Sequence, residues 1–354
     1  MQRITTLSLL LFTLITFAQT YSGPESAEYD YANNRWLIAN TTSHQVLARN
    51  TAGVLTVFVT GLVSGPYGIE IVDDTLYCCS GSSVKGYSLA TGANVFNLNV
   101  GASFLNGMTH DASGNLYATD FSAKKIFKIN IASQSFSAIA SSLVQSPNGI
   151  VFDQANNRCV FVNWGSSAPI KAIDITTNVV TTLLSTTLNN IDGITRDGSG
   201  NYYVSTWGGQ NVLKYDSNFA NPATSIATGL SSPADIFYNT VSNVLAIPNS
   251  GNNTVTFLDL NLGTNQPAVS NSLLIYPNPA NTEAFVKFDL SSVMTLSYQI
   301  VSVDGRVVKS NNSFDLNQLN GLIPIDIQGL NNGLYYFVFK GNDFSKTLPL
   351  LVQQ

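Results

Sequence analysis

Short runs of β-branched and aromatic residues alternate with Asn, Gly, Ser and Asp turns along most of the chain, and apolar positions almost never recur at helical spacing. The runs themselves recur. Six similar stretches open on Glu25-Ser-Ala-Glu-Tyr-Asp, Tyr67-Gly-Ile-Glu-Ile-Val, Asn106-Gly-Met-Thr-His-Asp, Asn148-Gly-Ile-Val-Phe-Asp, Asp192-Gly-Ile-Thr-Arg-Asp and Ala234-Asp-Ile-Phe-Tyr-Asn, and their first residues are spaced by 42, 39, 42, 44 and 42. Each is followed by a second apolar run, such as Leu116-Tyr-Ala-Thr or Tyr202-Tyr-Val-Ser. A third comes next, as in Lys125-Ile-Phe-Lys-Ile, and in most units a fourth, as in Leu55-Thr-Val-Phe-Val.

Four short strands per unit, repeated six times, predict an all-β protein built as a six-bladed β-propeller over residues 19–261. The sixth unit lacks an obvious fourth strand. An extended segment at 19–22 is expected to supply it and close the ring, since an open array would leave sheet edges bare. After residues 262–273, which read as a linker, the texture changes. Tyr276-Pro-Asn-Pro opens a segment of alternating strands with hairpin signals that runs over 274–354 and predicts a small C-terminal β-sandwich domain.

Composition narrows the function classes. Hydrophobic residues make up 44% of the 354 and charged residues 10%, so extended disorder is excluded. The net charge is -5 and only 16 residues are Lys or Arg, too few and too scattered for a surface that neutralises phosphates, so no nucleic-acid partner is expected. Residues 1–18 carry Arg3, an apolar run and the small Ala18, which predicts a secretory signal peptide cleaved from an exported chain, and no transmembrane segment is expected in the mature chain. Cys78, Cys79 and Cys159 lack any zinc-type spacing and read as small buried apolar residues.

The innermost strand of each blade runs along the central channel, so residues at one repeat position form a ring around the axis. That ring is Glu25, Tyr67, Asn106, Asn148, Asp192 and Ala234. Four of the six offer hard oxygen atoms and none offers sulfur or imidazole, a donor set that suits Ca²⁺, or less tightly Mg²⁺ or Mn²⁺. A plainer reading stays open: Asn-Gly and Asp-Gly are ordinary turn dipeptides, and four ring residues precede glycine. In antiparallel pairs the end of the second strand lies beside the start of the first. Phe121, Trp164 and Trp207, fifteen or sixteen residues past the ring, are therefore expected on the same face, either walling a ligand pocket or packing between blades. His44 and His110 carry no hydrolase or metalloprotease motif.

Two resemblances follow from these motifs. Residues 25–260 resemble the gluconolactonase and senescence marker protein family, related to NHL-repeat propellers, through Pro24-Glu25-Ser26, Pro147-Asn148-Gly149 and Ile191-Asp192-Gly193 in register. The resemblance implies a divalent cation, Ca²⁺ by the donor set, held by Glu25, Asn148 and Asp192. It also implies that Asn106 faces the substrate or a metal-bound water; in a lactonase-type or esterase-type hydrolase Asp192 would be the catalytic residue, helping to activate water as a general base. Ser26 stands where the family has glycine, and Phe104 where its lactonases carry an arginine. Residues 274–354 resemble the C-terminal sorting domain of proteins exported by the type IX secretion system of Bacteroidetes, through Tyr276-Pro-Asn-Pro, Asp304-Gly305-Arg306 and Gly333-Leu-Tyr335. That implies the type IX machinery as partner and a secreted or outer-membrane surface location. Two functions stay open for the propeller: a metal-dependent hydrolase of a small molecule, or a noncatalytic propeller that binds a glycan, a peptide or a surface protein.

Overall fold

The computed structural model describes residues 19–260, 274–287, 295–303, 306–315, 322–340 and 345–353; the predicted signal peptide, the linker at 262–273 and the Asp304-Gly305 turn lie outside the described residues. The chain divides into two compact units between Asp259 and Leu260.

Unit one is a set of six antiparallel sheets, one per sequence repeat. The first blade is β1 (Pro24–Asp30), β2 (Arg35–Asn40), β3 (Gln45–Asn50) and β4 (Leu55–Val59); the second is β5 (Ile69–Val72), β6 (Thr75–Ser80), β7 (Ser83–Ser88) and β8 (Asn94–Asn99). The third holds β9 (Leu105–His110), β10 (Asn115–Asp120), β11 (Lys125–Asn130) and β12 (Ser135–Ala140); the fourth β13 (Ser146–Asp153), β14 (Arg158–Trp164), β15 (Ile170–Asp174) and β16 (Val180–Leu184). The fifth is β17 (Ile191–Arg196), β18 (Tyr202–Thr206), β19 (Asn211–Tyr215) and β20 (Thr224–Ala227), and the sixth β21 (Phe237–Asn239), β22 (Val244–Asn249) and β23 (Thr254–Asp259).

Burial explains why the strands read as continuous apolar runs. The second strand of each blade is covered on both faces, as in β6 and β10, where every residue is buried, while an outer strand such as β8 buries Phe96 and keeps Val95, Asn97 and Asn99 in water. Cys78 and Cys79 are both buried thiols on opposite faces of β6, Cys78 in the core between blades one and two and Cys79 in the core between blades two and three.

The sixth sheet departs from expectation. Among the described residues it is three-stranded, and residues 19–22 do not add a fourth strand. Tyr21 instead packs against the buried cluster of Ala27, Trp36, Ile38 and Ala246, and the chain enters β1 with the Gly23 N–H donating to Asn253 Oδ1 at 2.7 Å. Closure comes from the inner strands: Asp235 N–H donates to Glu25 O at 2.8 Å, in the register by which Gly68 N–H reaches Asn106 O at 2.7 Å.

Four glycines set how closely those inner strands approach. A Cβ added at Gly68, Gly107, Gly149 or Gly193 would lie 2.3, 2.5, 2.6 or 2.7 Å from the ring carbonyl of the next blade. None of the four has a positive φ, and Gly107, Gly149 and Gly193 lie within strands; they are close-approach positions. Hydroxyls from the neighbouring strand tighten the same seam: Thr119 Oγ1 donates to Asn148 O at 2.8 Å and Ser205 Oγ to Ala234 O at 2.7 Å. Gly149→Ala is expected to cost about 2–3 kcal/mol, because the new methyl group meets backbone rather than a movable side chain. Gly198→Ala, where nothing lies within 4 Å, should change stability by less than about 0.5 kcal/mol. Chemical denaturation of both variants checks the contrast; equal midpoints would refute the close-approach account.

Unit two is a β-sandwich of two sheets around one core. One sheet joins β24 (Leu274–Tyr276), β25 (Ala284–Lys287) and β28 (Leu322–Ile325); the other has the order β27 (Val307–Asp315), β26 (Thr295–Ser302), β29 (Gly333–Lys340), β30 (Ser345–Val352). Val286, Ile325, Ile300, Phe337 and Leu350 meet in the core. Asn278 of the Tyr-Pro-Asn-Pro opening is pinned to the last strand, its Nδ2 donating to Pro349 O and its Oδ1 accepting from Leu351 N, both at 2.9 Å. The apolar chain end is therefore a sheet strand, with Leu350 and Val352 buried and Leu351 turned outward.

Candidate ligand and metal site

The ring residues of the six repeats fall where the period places them, at the entry of each inner strand. Glu25, Asn106, Asn148, Asp192 and Ala234 are buried, and Tyr67 is half-buried. The ring's chemistry concentrates at Glu25, Asn148 and Asp192. Asn148 hydrogen-bonds the Asp192 carboxyl, yet Asn148 Oδ1 and Asp192 Oδ1 are both buried without a hydrogen-bond partner. Burial first, and then the charges of Glu25 and Asp235, hold the Asp192 carboxyl well above the usual carboxylate range. Burial also pushes Glu25 up to about 7, although Ser250 Oγ donates to its Oε2 at 3.2 Å. Two unpaired buried oxygens next to two mutually repelling carboxyl groups are unfavourable for the bare protein, and fit a hard cation with oxygen ligands. Among the described residues no three His, Cys, Asp or Glu side chains form a metal-binding group, so the fit rests on an amide oxygen as the third ligand.

Further carboxyl groups lie deeper in the channel, and the repeat alignment did not single them out. Asp235, one position past the ring, takes the place that glycine holds in the second to fifth blades, and receives Ser26 Oγ at 2.8 Å. Burial pushes Asp235 up to about 7. Three positions past the ring come Glu28 and Glu70, with Thr109 and Thr195 in the equivalent places, lining a cavity of about 80 Å³ together with Asp235. Glu28 is held far above its ordinary range, by burial first and then by Glu70 and Asp235. Glu70 Oε1 pairs with His110 Nδ1 at 2.5 Å, and this bond raises the histidine. The sequence signal for this second ring was present: Glu28 and Glu70 share one repeat position. A wider depression of about 970 Å³ lies at the turns of blades four and five, but its two arginines, Arg158 and Arg196, both pair with Asp153, each at 2.9 Å.

The predicted aromatics lie at the same end of their blades as the ring. Strand pairing puts Ser146 opposite Trp164, and hydrogen bonds link Phe121 N–H to Phe104 O at 2.9 Å and Trp207 N–H to Asn190 O at 3.0 Å. Their rings form a series with edge-to-face neighbours: Tyr67 to Phe104 at 4.5 Å, Phe104 to Phe121 at 5.7 Å, Phe121 to Trp164 at 6.1 Å and Trp164 to Trp207 at 5.2 Å. All five are half-buried. Tyr67 and Phe104 belong to this arc and were not among the residues expected there. Trp207 Nε1 is buried without an acceptor.

The second unit's sandwich, with its opening motif tied to its last strand, matches a family model over residues 274–353. Those residues are a secretion-system C-terminal sorting domain. The domain marks Bacteroidetes proteins exported by type IX secretion to the cell surface or extracellular space, which is where this chain is delivered. Several solved structures share the fold. A calcium-binding protein, regucalcin, from Agrobacterium tumefaciens superposes with a TM-score of 0.54 at 16% identity, covering 65% of this chain and 83% of its own. A protein of unknown function from Bacteroides thetaiotaomicron gives 0.56 at 15% identity, and an auxiliary nutrient binding protein from Bacteroides ovatus 0.56 at 10% identity; each match covers 67% of this chain and 69% of the other. At these identities the likeness establishes the propeller fold. Comparison with curated protein sequences gives no match.

Proposed function

We propose that the sorting domain delivers to the cell exterior a propeller that holds one divalent cation, Ca²⁺ by its donor set, on its axis, and that this site serves lactonase-type or esterase-type hydrolysis of a small molecule. The observation that carries the reading is the pair of buried, unpartnered oxygens, Asn148 Oδ1 and Asp192 Oδ1, beside the raised Glu25 carboxyl. The regucalcin from Agrobacterium tumefaciens, of like fold, is a calcium-binding protein.

Glu25, Asn148 and Asp192 would be the cation's protein ligands. A divalent cation in such a place supplies Lewis-acid polarisation of a substrate carbonyl. The remaining work falls to the chain. Asp192 holds the proton of the attacking water, Asn106 orients the carbonyl compound from the neighbouring blade, and the aromatic arc keeps bulk water from the mouth. A noncatalytic binding role is the second reading, favoured by Phe104 at the mouth and by the nutrient-binding neighbour of like fold.

A structure of the protein loaded with calcium tests the first reading. Oxygens of Glu25, Asn148 and Asp192 should converge on one ion at about 2.3–2.6 Å. An ion bound elsewhere, or none at millimolar calcium, refutes the site. Calcium at the site without turnover of any ester or lactone would favour the binding role.

A further inference from the structure

The rim of the axial site is chemically divided, and strand register shows how. In five of the six blades one residue at the end of the second strand pairs with the residue just before the ring position: Asn40 opposite Pro24, Asp120 opposite Leu105, Asn163 opposite Pro147, Thr206 opposite Ile191 and Asn249 opposite Pro233. The residue that follows in each case stands on the rim. Blades three, four and five place Phe121, Trp164 and Trp207 there, whereas blade one places Thr41 and blade six Ser250. In blade two, Cys79 O accepts from the ring residue Tyr67 as Pro248 O does from Ala234 in blade six, so the rim residue is Gly81.

The two halves meet at the candidate metal ligands. Ser250 Oγ donates to Glu25 from the small, polar half. Tyr67 continues the aromatic half toward the axis, with its ring 4.5 Å from Phe104 and its phenol feeling the Glu25 charge. The five arc side chains carry only three polar atoms, the Tyr67 hydroxyl and two indole N–H groups. A sugar ring with a hydroxyl on nearly every carbon would lose its water there and find few partners. An apolar ring or chain loses nothing of the kind and gains aromatic contact.

We propose that this mouth selects carbonyl compounds that are apolar on one side, aryl or alkyl esters and lactones, and rejects sugar lactones, with Phe104, Phe121, Trp164 and Trp207 as the specificity determinants. The apolar part lies over blades three to five. The carbonyl points to the axis, between the ring residues and the Ser250 side. The choice of ester or lactone rests on the hydrolase reading above; the preference for an apolar ring does not.

Binding and turnover are measured separately on the full chain. The binding probe is 1-tetralone, a bicyclic ketone that cannot be hydrolysed, titrated by calorimetry with calcium and again with a chelator. Dihydrocoumarin and glucono-δ-lactone are the hydrolysis probes. We expect 1-tetralone to bind in both buffers, and Trp164→Ala to weaken it about tenfold, the scale of one lost aromatic contact. Phe121→Leu, a gentler change, should weaken it by a smaller factor and serves if Trp164→Ala does not fold. Phe104→Arg should weaken the ketone too. If turnover occurs, dihydrocoumarin is the faster substrate and Phe104→Arg narrows the gap. No binding of 1-tetralone, an affinity unchanged in all folded variants, or faster turnover of glucono-δ-lactone overturns the proposal, even if calcium occupies the axis. Ketone binding that persists while calcium does not bind at all would instead retire the metal reading and leave the apolar mouth standing.

Discussion

At pH 8, calcium at a hundredfold excess over its Kd should stabilise the propeller by about 2.7 kcal/mol and raise its thermal midpoint by about 5–10 °C, whereas at pH 5 the shift should nearly vanish. The sign follows from linkage. Glu25 rises from 4.5 to about 7 in the folded protein and Asp235 from 3.8 to about 7, so between those limits the native state binds more protons than the unfolded one. Without metal, the stabilisation contributed by these two groups is fully present below their unfolded-state values and is lost as the pH rises through about 7. A cation held by Glu25 and Asp192 binds their ionised forms and offsets the repulsion with Asp235, so it restores what deprotonation removes. Asp192→Asn nearly preserves shape while deleting a buried charge that repels Glu25 and Asp235. The variant should melt no lower than the metal-free wild type at pH 8, yet lose most of the calcium shift. Differential scanning calorimetry at both pH values reads all four states. A wild-type midpoint indifferent to calcium, magnesium and manganese at pH 8 would sink the axial site.

Removal of residues 274–354 should abolish delivery to the surface and strand the propeller in the periplasm, with its fold and calcium response intact. The sorting domain has its own core, in which Phe337, Ile300 and Leu350 are fully buried, so its loss should not unfold unit one. Cell fractionation with a surface protease assay measures the location, and the melting curve of the truncated chain measures the fold. Normal surface delivery of the truncated chain would show that the sandwich is no address, and a collapsed midpoint would show that the two units fold as one.

Much of this was legible along the chain because a propeller writes its geometry as a period. One repeat position, read six times, names the ring that includes Glu25, Asn148 and Asp192, and antiparallel pairing carries Phe121, Trp164 and Trp207 to the same end. The glycines after the ring invited a wrong mechanism, since Asn-Gly and Asp-Gly are common turns. Only the 2.3–2.7 Å clearance to the neighbouring carbonyl reveals them as spacing residues.

What the sequence by itself determined is therefore the repeat, the blade count, the identity of the ring and the sorting domain, all of which depend on local pattern and fixed spacing. The tertiary structure alone decided what happens where blades meet. It left the sixth sheet with three described strands, with Ser22 and Gly23 tied to Asn40 and Asn253 rather than to a sheet edge. It paired His110 with Glu70 across two blades and gathered Glu28 and Asp235 around one small cavity. It also joined Tyr67 and Phe104 to the aromatic arc. These contacts link residues from 17 to 230 positions apart or depend on burial. Proximity and desolvation of that kind arise only when the ring closes and water leaves the axis.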